Sequence, residues 1–307
     1  MNHLRFLRYV DEVARAGSVR QAAERLHVAP SAVIRRIQDL EHELGTAIFE
    51  RLPRGMRLTA AGELFVAYIR QRNAELERTR SEIEELQGLR RGRVRIIASQ
   101  ALAPVCLPRV IAEFRGMHPL VEFQATIGDR ILALNALRDF NSDLALVFNL
   151  EPEADVERLA EYEQRLMAMM HRSHPLASRP ELRLRDCVDY PLALPSPDMG
   201  GRQLLERFLS RTSVRFRATL ESNSFELLRG YLHHDQAISF QIAVGAVTDG
   251  DDLVVRDIAD RGFPRGHLVL AHLRGRQLPV LAHAFANHLQ RHLDGGGFGL
   301  SAAAASH

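Results

Sequence analysis

No lysine and no tryptophan occur in this chain of 307 residues, and cysteine appears only twice, as Cys106 and Cys187. Without lysine there is no Gly-x-x-x-x-Gly-Lys phosphate loop, which excludes P-loop nucleotide chemistry. Two cysteines far apart in apolar surroundings build neither a disulfide framework nor a zinc site, which needs about four ligands at close spacing. They read as buried, reduced thiols. No apolar run reaches the length of a membrane span. The start, Met1-Asn2-His3-Leu4-Arg5-Phe6, lacks the cationic-then-apolar order of a signal peptide. A cytoplasmic protein without a membrane partner is the expectation. No Gly-x-Ser-x-Gly nucleophile turn occurs. His171 with His174, and His233 with His234, bring no Cys, Asp or Glu set at ligand spacing, so they read as surface histidines. No enzyme activity, metal or cofactor is expected.

What is present is organised. The net charge is +2, so bulk charge alone announces no nucleic acid. Every cationic side chain other than histidine is arginine, which can grip phosphate or guanine with two parallel hydrogen bonds. At 307 residues and 46% apolar content, two or three well-cored domains are expected.

Leu4, Leu7, Val10, Val13 and Ala14 mark a helix with one buried face, ended by Gly17. Ser18 is suited to cap a second helix over 19–26, where Ala22 and Ala23 allow close helix approach. After His27-Val28-Ala29, Pro30 or Ser31 opens a third helix carrying Val33, Ile37, Leu40 and Leu44, and Gly45 stops it. Helix, tight turn, helix is the arrangement that sets a second helix into the major groove. Two extended pieces around Pro53-Arg54-Gly55 then form a small wing, with Arg51, Arg54 and Arg57 able to reach phosphates or the minor groove.

The run Ala16-Gly17-Ser18, Ala22-Ala23, Leu26, Ser31-Ala32-Val33, Arg35-Arg36-Ile37, Leu40-Glu41, Leu44-Gly45, Phe49-Glu50-Arg51 and Leu58-Thr59-Ala60-Ala61-Gly62 resembles the LysR-type transcriptional regulators over about sixty residues. The resemblance implies DNA contacts from Ser18, Arg20, Pro30, Ser31, Ile34, Arg35 and Arg36, and from Arg51 and Arg54 of the wing. Two positions depart from the family. Ala29-Pro30-Ser31 stands where Ser-Gln-Pro is common, and Ile34 replaces a serine hydroxyl. Ile34 can offer only an apolar contact, for instance to a thymine methyl.

Thr59 is placed to cap a linker helix over 60–89. Phe65, Ile69, Arg72, Leu76, Thr79, Ile83 and Leu86 follow heptad steps, with Arg and Glu on the outer face. Such a helix would be roughly 40 Å long and could not bury that stripe alone. A second copy could, so a homodimer is expected, and Gly88 to Gly92 read as a hinge.

From residue 93 strands and helices alternate, which predicts sheets covered by helices in two α/β lobes. Lobe I takes about 93–162 and 266–294, and lobe II about 163–265. Ligands of open α/β sheets bind beyond the carboxyl ends of strands. That rule selects the corners Ser99-Gln100, Ile127-Gly128, Phe148, Pro195-Ser196, Ser222-Asn223 and Phe240-Gln241, and from them Ser99, Gln100, Gly128, Phe148, Ser196, Asn223 and Phe240 as the candidates. Serine and asparagine corners favour a carboxylate, while the two phenylalanines leave room for an apolar body. The Gly-rich and Ala-rich tail over 295–307 reads as disordered.

The expected fold is therefore multi-domain. A winged helix-turn-helix (1–59) and a linker helix precede a two-lobed α/β domain (93–294), which the resemblance implies is an effector domain like the periplasmic binding proteins. Expected partners are double-stranded DNA carrying an inverted repeat, a small-molecule effector, further copies in a homodimer or homotetramer and, through the resemblance, RNA polymerase. The competing reading is a DNA-binding architectural protein with no ligand response.

Overall fold

The structure, a computed structural model, describes residues 2–53, 55–86, 91–246 and 252–295. The chain divides into two compact units, 1–80 and 81–307.

In the first unit, α1 (Asn2–Ala16), α2 (Val19–Leu26) and α3 (Pro30–Leu44) precede the hairpin β1 (Phe49–Leu52) and β2 (Gly55–Leu58), and α4 (Ala60–Leu86) follows. Val10 and Val13 of α1, Ala22 and Ala23 of α2, Val33 and Ile37 of α3, and Ile48 form one buried cluster. His27 and Gly45 terminate α2 and α3 in the left-handed conformation. Ser18 precedes α2 with extended backbone, but its side chain makes no capping hydrogen bond. The wing is strictly paired, Phe49 opposite Leu58 and Leu52 opposite Gly55. It is anchored beside its turn, where the Met56 N–H donates to the Gly17 carbonyl at 2.8 Å.

Three side chains fix the junction of α3, wing and α4. Glu41 Oε1 accepts from the Ile48 and Phe49 N–H groups at 2.8 and 3.1 Å. Thr59 Oγ1 donates to the Ala47 carbonyl and accepts from the Gly62 N–H, which caps α4 as the sequence suggests. Asp11, buried on α1, pairs with Arg15 and with Arg70 of α4 at 2.7 Å. Gly62 has no room for a side chain, because a Cβ there would lie 2.0 Å from the Ile48 carbonyl oxygen. Gly62→Ala should therefore cost about 1–3 kcal/mol through overpacking, read as a lower denaturation midpoint of the N-terminal unit. An unchanged midpoint would contradict this packing.

The expected seam on α4 is partly spent within this unit. Phe65 and Ile69 join Val66 in the core instead of facing a partner. Leu64, Tyr68 and Ile83 are the large apolar side chains of α4 left exposed among the described residues. Gly88 lies outside the described residues, and Gly92 opens a strand paired with Val121 and is no free hinge.

The second unit holds two sheets. The first has order β4-β3-β5-β13-β6, built from β3 (Gly92–Ala98), β4 (Val121–Ile127), β5 (Leu144–Phe148), β6 (Val156–Gln164) and β13 (Gly266–Leu273). Period-two alternation sends Ile96 and Ala98 to one face, against α5 (Cys106–Met117) and α9 (Val280–Asp294). Ile97, Ala145 and Val147 face α6 (Arg130–Arg138) on the other side. The second sheet has order β10-β9-β11-β7-β12-β8. Its strands are β7 (Leu166–His171), β8 (Glu181–Leu182), β9 (Leu192–Pro195), β10 (Ala218–Ser222), β11 (Ile238–Ile242) and β12 (Leu253–Ile258), with α7 (Gly200–Leu209) and α8 (Phe225–Tyr231). The chain passes from the first sheet to the second across Arg165 and returns between Ile258 and Gly266. Gln164, buried at the first crossing, accepts the Val244 N–H at 3.0 Å.

Strands β6 and β12 carry charges that hide their period, and the sequence reading passes over both. Helix α5 begins at Cys106, after a short 3-10 turn over Gln100–Leu102. His174, expected at the surface, is buried, and its Nδ1 accepts from the Leu176 N–H. Burial holds His174, His272 and His288 below the ordinary histidine value of 6.5. The unfolded chain therefore takes up protons first as pH falls through about 6.5. The stability these neutral rings contribute is complete above that pH and is lost below it. The melting temperature of the C-terminal unit should fall between about pH 7.5 and 5.5, and a flat profile would contradict this assignment.

Candidate nucleic-acid interface and ligand cleft

Helix α3 buries Val33, Ile37 and Leu40, which leaves Ser31, Arg35, Gln38 and His42 on one exposed stripe at helical spacing. Pro30 occupies the first turn, exposed, and Ile34 is half-buried beside the stripe. Arg35 forms no ion pair among the described residues. Arg36 lies 3.3 Å from Asp39, and Arg20 on α2 lies 3.4 Å from Glu24. Ser18 is half-buried at the α1–α2 corner, and Arg51 is exposed on the wing. Arg54 lies outside the described residues. Arg57, on β2, pairs with Glu50 at 2.5 Å, so its charge is partly spent within the hairpin. Gln38 and His42 are the residues of this face that sequence reasoning leaves out. For Gln38 the signal is plain, the interval of three from Arg35 on the side away from Ile37.

In the second unit a cleft of about 270 Å³ opens at the strand ends. Ser99, Gln100, Gly128, Phe148 and Asn223, five of the seven expected residues, border it together. Ser99 is fixed by accepting the Phe148 N–H at 3.0 Å, which leaves its O–H free to donate. Gln100 reaches the other lobe, its Oε1 accepting from the Phe225 N–H at 3.2 Å. Asp129 caps α6 through the Leu132 N–H. Arg130 bonds Gln203 of α7 at 3.1 Å. Asp129 and Asp198 are exposed at the rim, while the deeper polar groups, Ser99, Gln100 and Gln241, are uncharged. Met199, ahead of α7, gives no side-chain cap, and Gly200 and Gly201 of the first turn, whose amides have no partner within the helix, border the cleft.

Two expectations fail here. Phe240 does not border the cleft. It is 1% exposed and stacks on Phe216 at 5.6 Å in the core of lobe II. Successive side chains of a strand point to opposite faces, so Gln241 takes the place assigned to Phe240. Ser196 also stands outside the lining, held in the turn by its N–H to the Ser222 carbonyl. The Phe148 ring is clamped by two glycines. A Cβ at Gly200 would lie 2.9 Å from Cδ1, and one at Gly266 would lie 2.1 Å from Cζ.

Cys106, on α5, is 2% exposed. Burial pushes its thiol up to about 11, and burial with nearby Asp186 pushes Cys187 up to about 12. At about pH 8 both stay protonated, since only a thiolate attacks. Ellman's reagent should react with neither in the native chain and with both after denaturation, and a fast native reaction would contradict the burial. Among the described residues no group of three metal-ligating side chains is poised to hold an ion.

A winged three-helix head and a two-lobed, cleft-bearing domain define a ligand-responsive DNA-binding regulator. Comparison with known proteins gives the family. Residues 4–63 match the bacterial regulatory helix-turn-helix protein, lysR family, and residues 87–294 match the LysR substrate binding domain. The chain belongs to the LysR family of transcriptional regulators. It is 26% identical to the transcriptional activator CmpR of Synechocystis sp. over 91% of this chain and 92% of that one. It is 28% identical to the RuBisCO operon transcriptional regulator of Allochromatium vinosum over 92% and 93%. Among solved structures, a full-length OxyR variant from Pseudomonas aeruginosa superposes with a TM-score of 0.70 at 22% identity, covering 94% of each chain. CbnR in complex with its target DNA superposes with a TM-score of 0.62 at 20% identity, covering 94% of this chain and 99% of that one. These likenesses support the fold. Among the described residues no helix is long and apolar enough to cross a membrane.

Proposed function

We propose that α3 enters the major groove of an inverted-repeat operator, with Arg35 reading a base edge, Ser31 and Pro30 seating the helix, and Ile34 touching a thymine methyl. Arg36, Arg20 and the Ser18 corner then approach phosphates, and Arg51 and Arg54 bring the wing to the backbone. One observation carries this reading: Arg35 is an exposed cation with no ion pair among the described residues, at the centre of the face that α3 leaves uncovered. The protein acts in the bacterial cytoplasm, as a homodimer or homotetramer that places one head on each half-site. Exposed Leu64, Tyr68 and Ile83 on α4 support pairing through that helix. Ile83→Glu should shift the sedimentation coefficient toward that of a single chain, and an unchanged coefficient would place the contact elsewhere.

The cleft binds a small carboxylate effector, donors being the Ser99 hydroxyl, Asn223, and the Gly200 and Gly201 amides. Asp129 and Asp198 lie in solvent at the rim, where water and salt screen them. Binding shifts the population between two arrangements of the lobes, and it alters DNA binding only if one arrangement holds the effector better. RNA polymerase is the further partner of such a regulator. No catalytic step is assigned to any residue. A short duplex carrying the operator should bind at least about a thousandfold tighter than a scrambled one. Equal affinity would favour the architectural reading, which no feature of the cleft supports.

A further inference from the structure

The hydrogen bond from the Phe225 N–H to Gln100 Oε1 has a cavity on each side. One is the cleft already described. The other, about 530 Å³, is the larger of the two. Gln100, Ile127, Phe225 and Gln241 border both, so little besides these four separates them. The walls of the second cavity are apolar at Ala103, Pro104, Met169 and Leu228, while Ser224, Glu226 and Arg229, at and after the start of α8, border it as well. Its deep polar groups come from β11. Ser239 and Gln241 are two residues apart on that strand and share a face. They are 4% and 6% exposed. Gln241 Oε1 accepts from the Ile242 N–H at 2.9 Å. The Gln241 amide N–H groups and the Ser239 hydroxyl have no protein partner among the described residues. Both donors open onto the cavity, two residues apart on one strand, where water or the acceptor oxygen of a ligand can meet them.

We propose that the two cavities form one bipartite effector site. This rests on the reading of the cleft as an effector site and names the ligand class more closely. The carboxylate head lies against Ser99 and the α7 amides. An uncharged tail passes Gln100 into the second cavity and presents a hydroxyl or carbonyl oxygen to Ser239 and Gln241. A short acid fills only the head site. An elongated acid with a distal acceptor oxygen fills both, and it replaces the bond between Gln100 and Phe225 with contacts of its own to each lobe.

The test uses the full chain and a series of ω-hydroxycarboxylates, from glycolate to 8-hydroxyoctanoate, titrated by calorimetry. Affinity should rise at least about tenfold from the shortest member to the one that reaches Ser239, since one good buried hydrogen bond and a few buried methylenes supply that much. Ser239→Leu, which removes the hydroxyl and narrows the second cavity, should abolish most of the gain with length and leave glycolate binding unchanged. Should that variant fail to fold, Ser239→Ala should lower the affinity of the long members alone, about threefold to tenfold. Long members that bind no tighter than glycolate would overturn the bipartite site and leave the head site standing. Failure of every member to bind a chain that still binds DNA would overturn both readings together.

Discussion

Replacing Arg35 with alanine should lower operator affinity by roughly ten- to a hundredfold, the loss that accompanies one bidentate base contact of about 1–3 kcal/mol. The expectation rests on contrast within one head. Arg20 and Arg36 each have a carboxylate within 3.4 Å, Glu24 and Asp39, so part of their charge is already compensated. Arg35 has no such neighbour among the described residues. It lies near the centre of α3 on the face opposite Val33, Ile37 and Leu40. Its loss should not disturb the core, because the side chain is exposed. Fluorescence anisotropy at one fixed salt concentration reads the effect. Arg35→Ala should weaken operator binding more than binding to unrelated duplex. Arg20→Ala should weaken both slightly and alike. Equal losses on both duplexes for Arg35→Ala would make it a phosphate contact, and no loss would remove it from the interface.

The largest effect on stability should come from Asp143→Ala. Asp143 is 1% exposed at the start of β5. Its Oδ1 accepts from Arg276 Nη2 at 2.5 Å, and its Oδ2 accepts from the Arg95 N–H of β3 at 2.9 Å. Arg276 Nη1 donates to the Ser142 carbonyl at 2.8 Å, and its guanidinium stands 5.1 Å from the centre of the Phe140 ring. This carboxylate thus joins β3 and β5 to the turn after β13. Deleting it removes one partner of a buried ion pair and the acceptor of the Arg95 N–H, a change that typically costs about 3–5 kcal/mol. Domains are stable by only about 5–15 kcal/mol, so the C-terminal unit should melt far earlier. Asp143→Asn keeps acceptors and should cost less. Urea denaturation followed by circular dichroism measures both. A cost below about 1 kcal/mol for Asp143→Ala would show that water reaches the arginine.

Much of the N-terminal head is legible in the letters, because its helices are amphipathic and end in recognisable stops. Ala22, Ala23, Val33 and Ile37 sit in the core where their spacing places them. The roles of Glu41 and Gly62 are not legible. One accepts two wing amides seven and eight positions away, and the other touches a carbonyl from before the wing. Neither contact has a period. In the effector domain, the rule that ligands gather at strand ends finds Ser99, Gly128 and Phe148. It misplaces Phe240, although β11 alternates as Ile238-Ser239-Phe240-Gln241-Ile242. The polar face, Ser239 and Gln241, turns to the cavities and Phe240 turns to the core, so the alternation is the signal that separates Gln241 from Phe240. Strand β6 fails for another reason. It is an edge strand, and its Glu and Arg residues read as loop.

The most direct measurement is footprinting of the purified protein on the intergenic DNA upstream of its own gene, across a salt series. The account predicts protection of an inverted repeat, with the logarithm of affinity falling linearly as the logarithm of salt rises, because released counterions drive the phosphate contacts. Absence of protection even at the lowest salt would contradict it.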